Sequence, residues 1–299
     1  MSVSSSAASP IAPVAPAAVS PARVRPPPLR ALLRNRSFVI GAVLLLIIVL
    51  VAVFANQIAP FDPLRSNFRV RLQPPSAEHL FGTDHFGRDL FSRVVFGGRI
   101  SLVIGFCVVV VTGIAGTTIG ALAGYFARLD NPLMRLMDAL MAFPAILLAI
   151  VISAVLGASI VNVIIALSIA TSPHTARIVR GSVLVVREMD YVEAARAMGA
   201  EHARILFRHV LANALAPLIV RLTYVFAIAI LAEAVLSYIG VGPPPPTPTF
   251  GNIIATERDF MENAPWTMIF PGLAIIASVL GLNLLGDGLR DVLDPRMRA

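Results

Sequence analysis

Apolar residues in this chain come in long runs separated by short polar stretches, the pattern of a protein that crosses a membrane repeatedly. The first run, Phe38 to Ala55, is nearly unbroken aliphatic sequence and about long enough for a hydrocarbon core of roughly 30 Å. Further runs cover Ser101 to Gly124, Leu136 to Leu156, Ser159 to about Thr171 with an extension through Ala176, Pro217 to Ile239, and Trp266 to Leu285. The pattern predicts an all-α, polytopic transmembrane helical bundle with six membrane spans. Pro144 interrupts the third run, and proline removes a backbone hydrogen bond, so a kink is expected there. Gly113, Gly116, Gly120 and Gly124 stand in the second run. Small residues at intervals of about four let helix backbones approach closely in lipid, either for packing or to line a pathway.

One polar interruption is different in kind. Residues 187 to 215 are charged and helix-forming, DYVEAARAMGAEHARILFRHVLANAL from Asp190 to Leu215, and predict a helical hairpin between two spans. Asp190 with Glu193 fits a capping box at the start of a first helix. Gly199 stands where that helix would end, since glycine takes the left-handed turn without steric cost. A second helix is expected from about Ala200, with Ala203, Leu206, Phe207, Val210 and Leu211 on its packing face and Glu201, Arg204 and Arg208 off it.

Composition agrees with a lipid environment: of 299 residues 57% are hydrophobic and 14% charged. The net charge of +7 comes from scattered arginines without aromatic interleaving, so no nucleic-acid partner is expected. The single Cys107 excludes an intrachain disulfide and a multi-cysteine metal site. Residues 1 to 36 read as a disordered tail, rich in Ala, Pro and Ser at its start, and 37 to 299 as the membrane domain. A cleaved leader is not expected, because the first apolar run starts only near Phe38 and is long enough to span. Arg30, Arg34 and Arg36 precede that run without an acid, which places the N-terminus in the cytoplasm by the positive-inside rule. Arg177 and Arg180 return the chain inside before the hairpin, and both termini are expected there.

Between the first two spans, about 57 to 98, lie His79, Asp84, His85, Arg88, Asp89 and Arg93 among turn formers. No spacing here matches a metal-ligand template; a charged network fixing the segment against the membrane surface is the reading. Glu233 is a carboxylate inside the fifth span, by default a functional-site candidate, unless it faces water or pairs with an arginine. Ser237, one helical turn on, and Pro144 join it as candidates for a translocation pathway. An outer loop follows, with Pro243 to Pro246 in a row and Thr249-Phe250-Gly251-Asn252 after it.

Four motif stretches resemble ABC-type importer permeases of the dipeptide/oligopeptide/nickel branch. Glu193-Ala194-Ala195 followed by Gly199 resembles the family's EAA loop. Gly82-Thr83-Asp84, Gly87-Arg88-Asp89 and Ser92-Arg93 resemble its GTD-x-x-GRD-x-x-SR run. Glu233, Leu236-Ser237-Tyr238-Ile239-Gly240 and Gly242 resemble E-x-x-LSFLG-x-G, and Gly286 to Arg296 resembles the GDxLRDxLDPR ending. The chain departs at Ala212, where the branch usually has proline. The resemblance implies a permease subunit in a cell inner membrane, paired with a second homologous permease, two ATP-binding subunits and an external solute-binding protein. It implies docking of the ATPase through Glu193, Ala194, Ala195, Arg196, Gly199 and His202. No phosphate-binding G-x-x-x-x-G-K-[ST] loop or dinucleotide fingerprint occurs, so the chain is expected to be no enzyme and to hold no cofactor. The alternative is a secondary transporter driven by an ion gradient through Glu233.

Overall fold

The computed structural model describes residues 29 to 293, so most of the expected N-terminal tail and the last residues of the C-terminal motif lie outside the described residues. In order the helices are α1 (Leu29–Arg34), α2 (Arg36–Val53), α3 (Ala55–Ile58), α4 (Leu90–Tyr125), α5 (Ala127–Met141), α6 (Ala145–Leu156), α7 (Ile160–Arg187), α8 (Asp190–Ala197), α9 (His202–Arg204), α10 (Leu211–Ile239), α11 (Phe250–Glu257) and α12 (Trp266–Leu293). No strand occurs among the described residues.

Among the described residues four helices are long and apolar enough to cross a membrane: α2, α4, the continuous stretch His202–Ile239, and α12. The pair α5 and α6 would make a fifth, bent by 87°. The expected six are not reached on length and composition, because α7, though 28 residues long, is diluted by Asn162, Ser168, Thr171, Ser172, Pro173 and His174 before Arg177, Arg180 and Arg187 close it. α2 leaves Ile40, Val43, Leu46, Ile47, Leu50 and Val53 exposed on the isolated chain, as a helix solvated by lipid does.

Several boundaries move. α4 begins at Leu90, not Ser101, because Asp89 caps it by accepting from the Ser92 amide at 2.8 Å. The kink at Pro144 is a corner: α5 and α6 are separate helices, and Pro144 is the N-cap of α6. α5 is held to α7 by Arg180, whose Nε and Nη2 reach both oxygens of Asp130 at 2.5 and 2.7 Å, and by Arg177 to Asp138 at 2.5 Å. Those pairings let α7 run on through charges that hydropathy reads as the end of a span.

The core of the bundle is the α4/α7 seam. A Cβ at Gly116 would meet Thr175 Cβ at 2.8 Å, at Gly120 the Ala176 carbonyl oxygen at 2.3 Å, and at Gly124 Val183 Cβ at 2.8 Å. These glycines pack helix on helix, the first of the two readings open from sequence. α2 and α12 meet as closely, with Gly41 against the Leu285 amide and Gly288 against Phe38. The C-terminal motif ties the same pair together, with Asn35 Nδ2 donating to Asp291 Oδ2 at 3.2 Å, and joins α12 to α10, where Tyr224 donates to Asp287.

Candidate functional site

The hairpin forms at the C-terminal ends of α4 and α7. α8 ends in a Schellman motif, with the Gly199 amide donating to the Arg196 carbonyl at 2.9 Å and the Ala200 amide to the Ala195 carbonyl at 3.0 Å. Gly199 sits at φ +80°, as expected of the turn glycine. The expected capping box is absent: Asp190 is the first helical residue, Met189 precedes it as N-cap, and no side chain makes a cap hydrogen bond.

The second hairpin helix is not a separate amphipathic segment from Ala200. Helical structure resumes at His202, passes through a π-helical stretch, Ile205–Val210, and continues into α10 without a break. Ala212, where the chain departs from the branch's proline, lies inside this continuous helix and keeps its backbone amide. The wider turn brings Ile205 and Val210, five apart, to the same buried face and leaves Phe207 68% exposed. Ala203 and Phe207 were expected to pack; both are exposed.

The hairpin therefore has two faces. Val192, Ala195, Ile205, Leu206 and Val210 are buried with Tyr125 of α4 and Val179, Val183 and Val186 of α7. His202 Nδ1 lies 2.9 Å from the Tyr125 hydroxyl, and Asn213 Nδ2 donates to the Tyr191 hydroxyl at 3.0 Å. Burial pushes the Tyr191 phenol up from its ordinary value. The outer face carries Glu193, Ala194, Arg196, Gly199 and Arg204, together with Met198, which is 82% exposed. Of the six docking candidates, Glu193, Ala194, Arg196 and Gly199 are exposed, Ala195 is in the core beneath them, and His202 is exposed as a residue with its Nδ1 engaged by Tyr125. Met198 and Phe207 were missed as surface residues. A large apolar side chain beside a turn glycine inside a charged stretch was the signal for the first of them.

Glu233 lies toward the other end of α10, fully buried. Ser237 Oγ donates to its Oε1 at 2.7 Å and Ser101 Oγ of α4 to its Oε2 at 2.9 Å. Neither reading held open from sequence, water at an outer mouth or an arginine partner, applies: hydroxyls satisfy it. The loop after α10 folds back over this cluster. Thr249 caps α11 in a capping box with Asn252, the Phe250 amide donates to Ser101 Oγ at 3.4 Å, and Gly251 packs on Ala234. Glu233 and Ser237 are thus brought together, whereas Pro144 is exposed at the α5/α6 corner.

The segment before α4 is the charged network expected, with two partners sequence did not pair. Asp84 is fully buried against Arg88 and Arg93, His79 Nδ1 lies 2.9 Å from Asp89 Oδ1, and His85 Nδ1 lies 2.7 Å from Glu257 Oε1. Burial and the nearby Asp84 charge push the Glu257 carboxyl up, while His85 opposes them. No group of three or more His, Cys, Asp or Glu suited to a metal occurs among the described residues.

Comparisons with known proteins identify the arrangement. Residues 116–299 match the family model described as binding-protein-dependent transport system inner membrane component, and residues 29–75 match the N-terminal TM domain of oligopeptide transport permease C. A protein of Brucella abortus biovar 1, provisionally named a peptide transport system permease, is 58% identical over 90% of this chain and 91% of its own. The dipeptide transport system permease protein DppC of Alkalihalophilus pseudofirmus is 45% identical over 89% of this chain and 88% of its own. The di/tripeptide permease DppC of Pseudomonas aeruginosa is 43% identical, covering 94% and 96%. Among solved structures, an inward-facing conformation of the MetNI methionine ABC transporter aligns with TM-score 0.58 at 19% identity, covering 69% of this chain and 98% of that one; it shares the fold. The helical bundle, the hairpin at one end and these matches together make this chain a member of the binding-protein-dependent transport inner membrane component family, the multi-pass permease of an ABC importer.

Proposed function

We propose that residues 187 to 215 are the docking element for an ATP-binding subunit, and that the chain moves peptides or similar small solutes into the cytoplasm. In this reading it pairs with a second homologous permease and two ATP-binding subunits, takes solute from an external binding protein, and hydrolyses nothing itself. Both termini are cytoplasmic, on the hairpin side. The solute class rests on relatives named for dipeptides, di/tripeptides and, at 42% identity, glutathione. Membership of an ATP-driven family argues against the ion-gradient alternative through Glu233.

The observation that carries the docking proposal is the division of the hairpin into a face buried on α4 and α7 and a charged face bearing Met198 and Phe207, 82% and 68% exposed. Large apolar groups on a charged tip are the composition of a protein-binding patch. The buried face makes the hairpin a lever: a push at Phe207 passes through Ile205, Leu206 and Val210 to Tyr125 and Val183. Nucleotide-driven closure of the partner subunits would then bias the bundle between two states.

The test is to purify the assembly through a tag on this chain and measure retention of the ATP-binding subunits by M198S/F207S. Burial of a large apolar side chain is worth about 1.5–3 kcal/mol, so affinity should drop at least tenfold with the thermal stability of the chain unchanged. Retention of the subunits at wild-type affinity would sink the docking assignment.

A further inference from the structure

At the end of the bundle remote from the hairpin, the network around Asp84 leaves guanidinium donors unused. Asp84 accepts from the Phe86 and Arg88 amides at 2.8 and 2.9 Å and from Arg88 Nε at 2.5 Å. Arg93 Nε stands 3.5 Å from the same Oδ2. One carboxylate therefore serves two guanidinium groups, each with five donors to satisfy. Arg88 Nη2 and Arg93 Nη1 are buried with no hydrogen-bond partner in the protein, and the Arg93 side chain is only 3% exposed. Leaving such donors unmet is costly.

The nearby acids are engaged elsewhere. Asp89 accepts from the Ser92 amide and hydroxyl and meets His79, and Glu257 is held by His85. Arg88 and Arg93 line one cavity of about 250 Å³ with His85, Pro246, Asn252 and Thr256. The Arg88 guanidinium is steadied over the Phe86 ring, 4.5 Å from its centroid. At about 30 Å³ for a water-sized group, that volume holds a carboxyl and several attached atoms.

We propose that this cavity is a carboxylate-binding subsite, in which Arg88 and Arg93 each donate to one oxygen. The carboxylate comes from a small solute or from an acidic side chain of a protein seated on this end of the bundle. The shortage is of acceptors: two guanidinium groups share one close carboxylate, Asp84, and a second carboxylate supplies the oxygens they lack. A phosphate dianion would meet stronger repulsion from Asp84 and from Glu257, which acts on Arg93 as well. The forked guanidinium donors match the two oxygens of a carboxylate. The site stands independently of the docking assignment, since it involves no residue of the hairpin.

The test uses the full chain in mild detergent, titrated with sodium acetate at constant ionic strength, with sodium chloride and acetamide as controls and the unfolding midpoint as readout. The midpoint should rise saturably with acetate and with neither control. In R88K and R93K, which keep charge but lose the fork, the apparent acetate affinity should weaken about tenfold. T256M, which fills the cavity and leaves both arginines in place, should abolish the response and serves if an arginine variant does not fold. The same titration on the assembled transporter separates the sources: a retained response means a solute carboxylate, and one lost only on assembly means that a partner side chain occupies the site. No acetate-specific response in the isolated wild-type chain, or one that survives T256M, overturns the proposal.

Discussion

A one-carbon addition at two glycines of the same helix pair should have opposite effects. At Gly120 of α4 a Cβ would stand 2.3 Å from the Ala176 carbonyl oxygen, 2.8 Å from Val179 Cβ and 3.0 Å from the Arg180 amide nitrogen of α7. The first and last contacts are to backbone, so no rotamer change relieves them. A carbon-to-oxygen contact relaxes only at about 3.3 Å, so the helices would have to separate by about 1 Å along the seam. That loosens the packing at Gly116 and Gly124 as well. Overpacking of this kind costs about 1–3 kcal/mol. At Gly181 of α7 a Cβ would meet nothing within 4 Å, and alanine there should stabilise the helix by about 0.5–1 kcal/mol. The assay is thermal unfolding of the purified chain in one detergent, G120A and G181A beside wild type. A lowered midpoint for the first and an equal or raised midpoint for the second is expected. Equal midpoints for both variants would refute the claim that the α4/α7 seam is set by backbone contact.

Two further outcomes follow from buried carboxyls. Glu233→Gln keeps an acceptor for one serine and an amide that the other hydroxyl can accept from, so reconstituted ATP-driven transport should remain near wild type; Glu233→Leu strands Ser101 and Ser237 and should cost about 1–3 kcal/mol. Loss of transport in Glu233→Gln with stability intact would revive the ion-site reading. Glu257 is pushed above its ordinary 4.5, so the folded chain holds that proton to higher pH than the unfolded chain does. Its contribution to stability is then full below about pH 4.5 and falls as pH rises through the native value. Comparing wild type with Glu257→Gln across that window should show the decline only in wild type, and parallel curves would rule it out.

How much was legible depends on where charges find partners. α2 was readable because it is almost unbroken aliphatic sequence, α12 as far as Leu285 although it runs on through Asp287, Arg290 and Asp291 to Leu293, and Gly199 because the left-handed turn allows few residues. The start of α4 was placed eleven residues late because Ser92, Arg93 and Arg99 look like a polar segment. Asp89, earlier in the chain, accepts from Ser92, and Asp84 lies 3.5 Å from Arg93 as its ion-pair partner. α7 was cut short for the same reason, its arginines being paired by Asp130 and Asp138 of α5, some forty to fifty residues upstream. The outward turn of Phe207 comes from the π-helical stretch, a backbone choice that a period of 3.6 cannot anticipate. In the candidate sites, motif positions were visible but their partners were not: Tyr125 beneath His202, Ser101 beside Glu233 and Glu257 behind His85 are all remote in sequence.

α4 is 36 residues of uninterrupted helix without a proline, a rod about 54 Å long. Its first turns hold Arg93 and its last residue, Tyr125, holds the hairpin through His202. The two ends of the transporter therefore share one mechanical part with no joint inside it. Whatever tilts that rod from one side is felt on the other, and the coupling is reciprocal: a ligand that grips one end in a preferred tilt must change affinity at the far end by the same factor that a partner there changes its own.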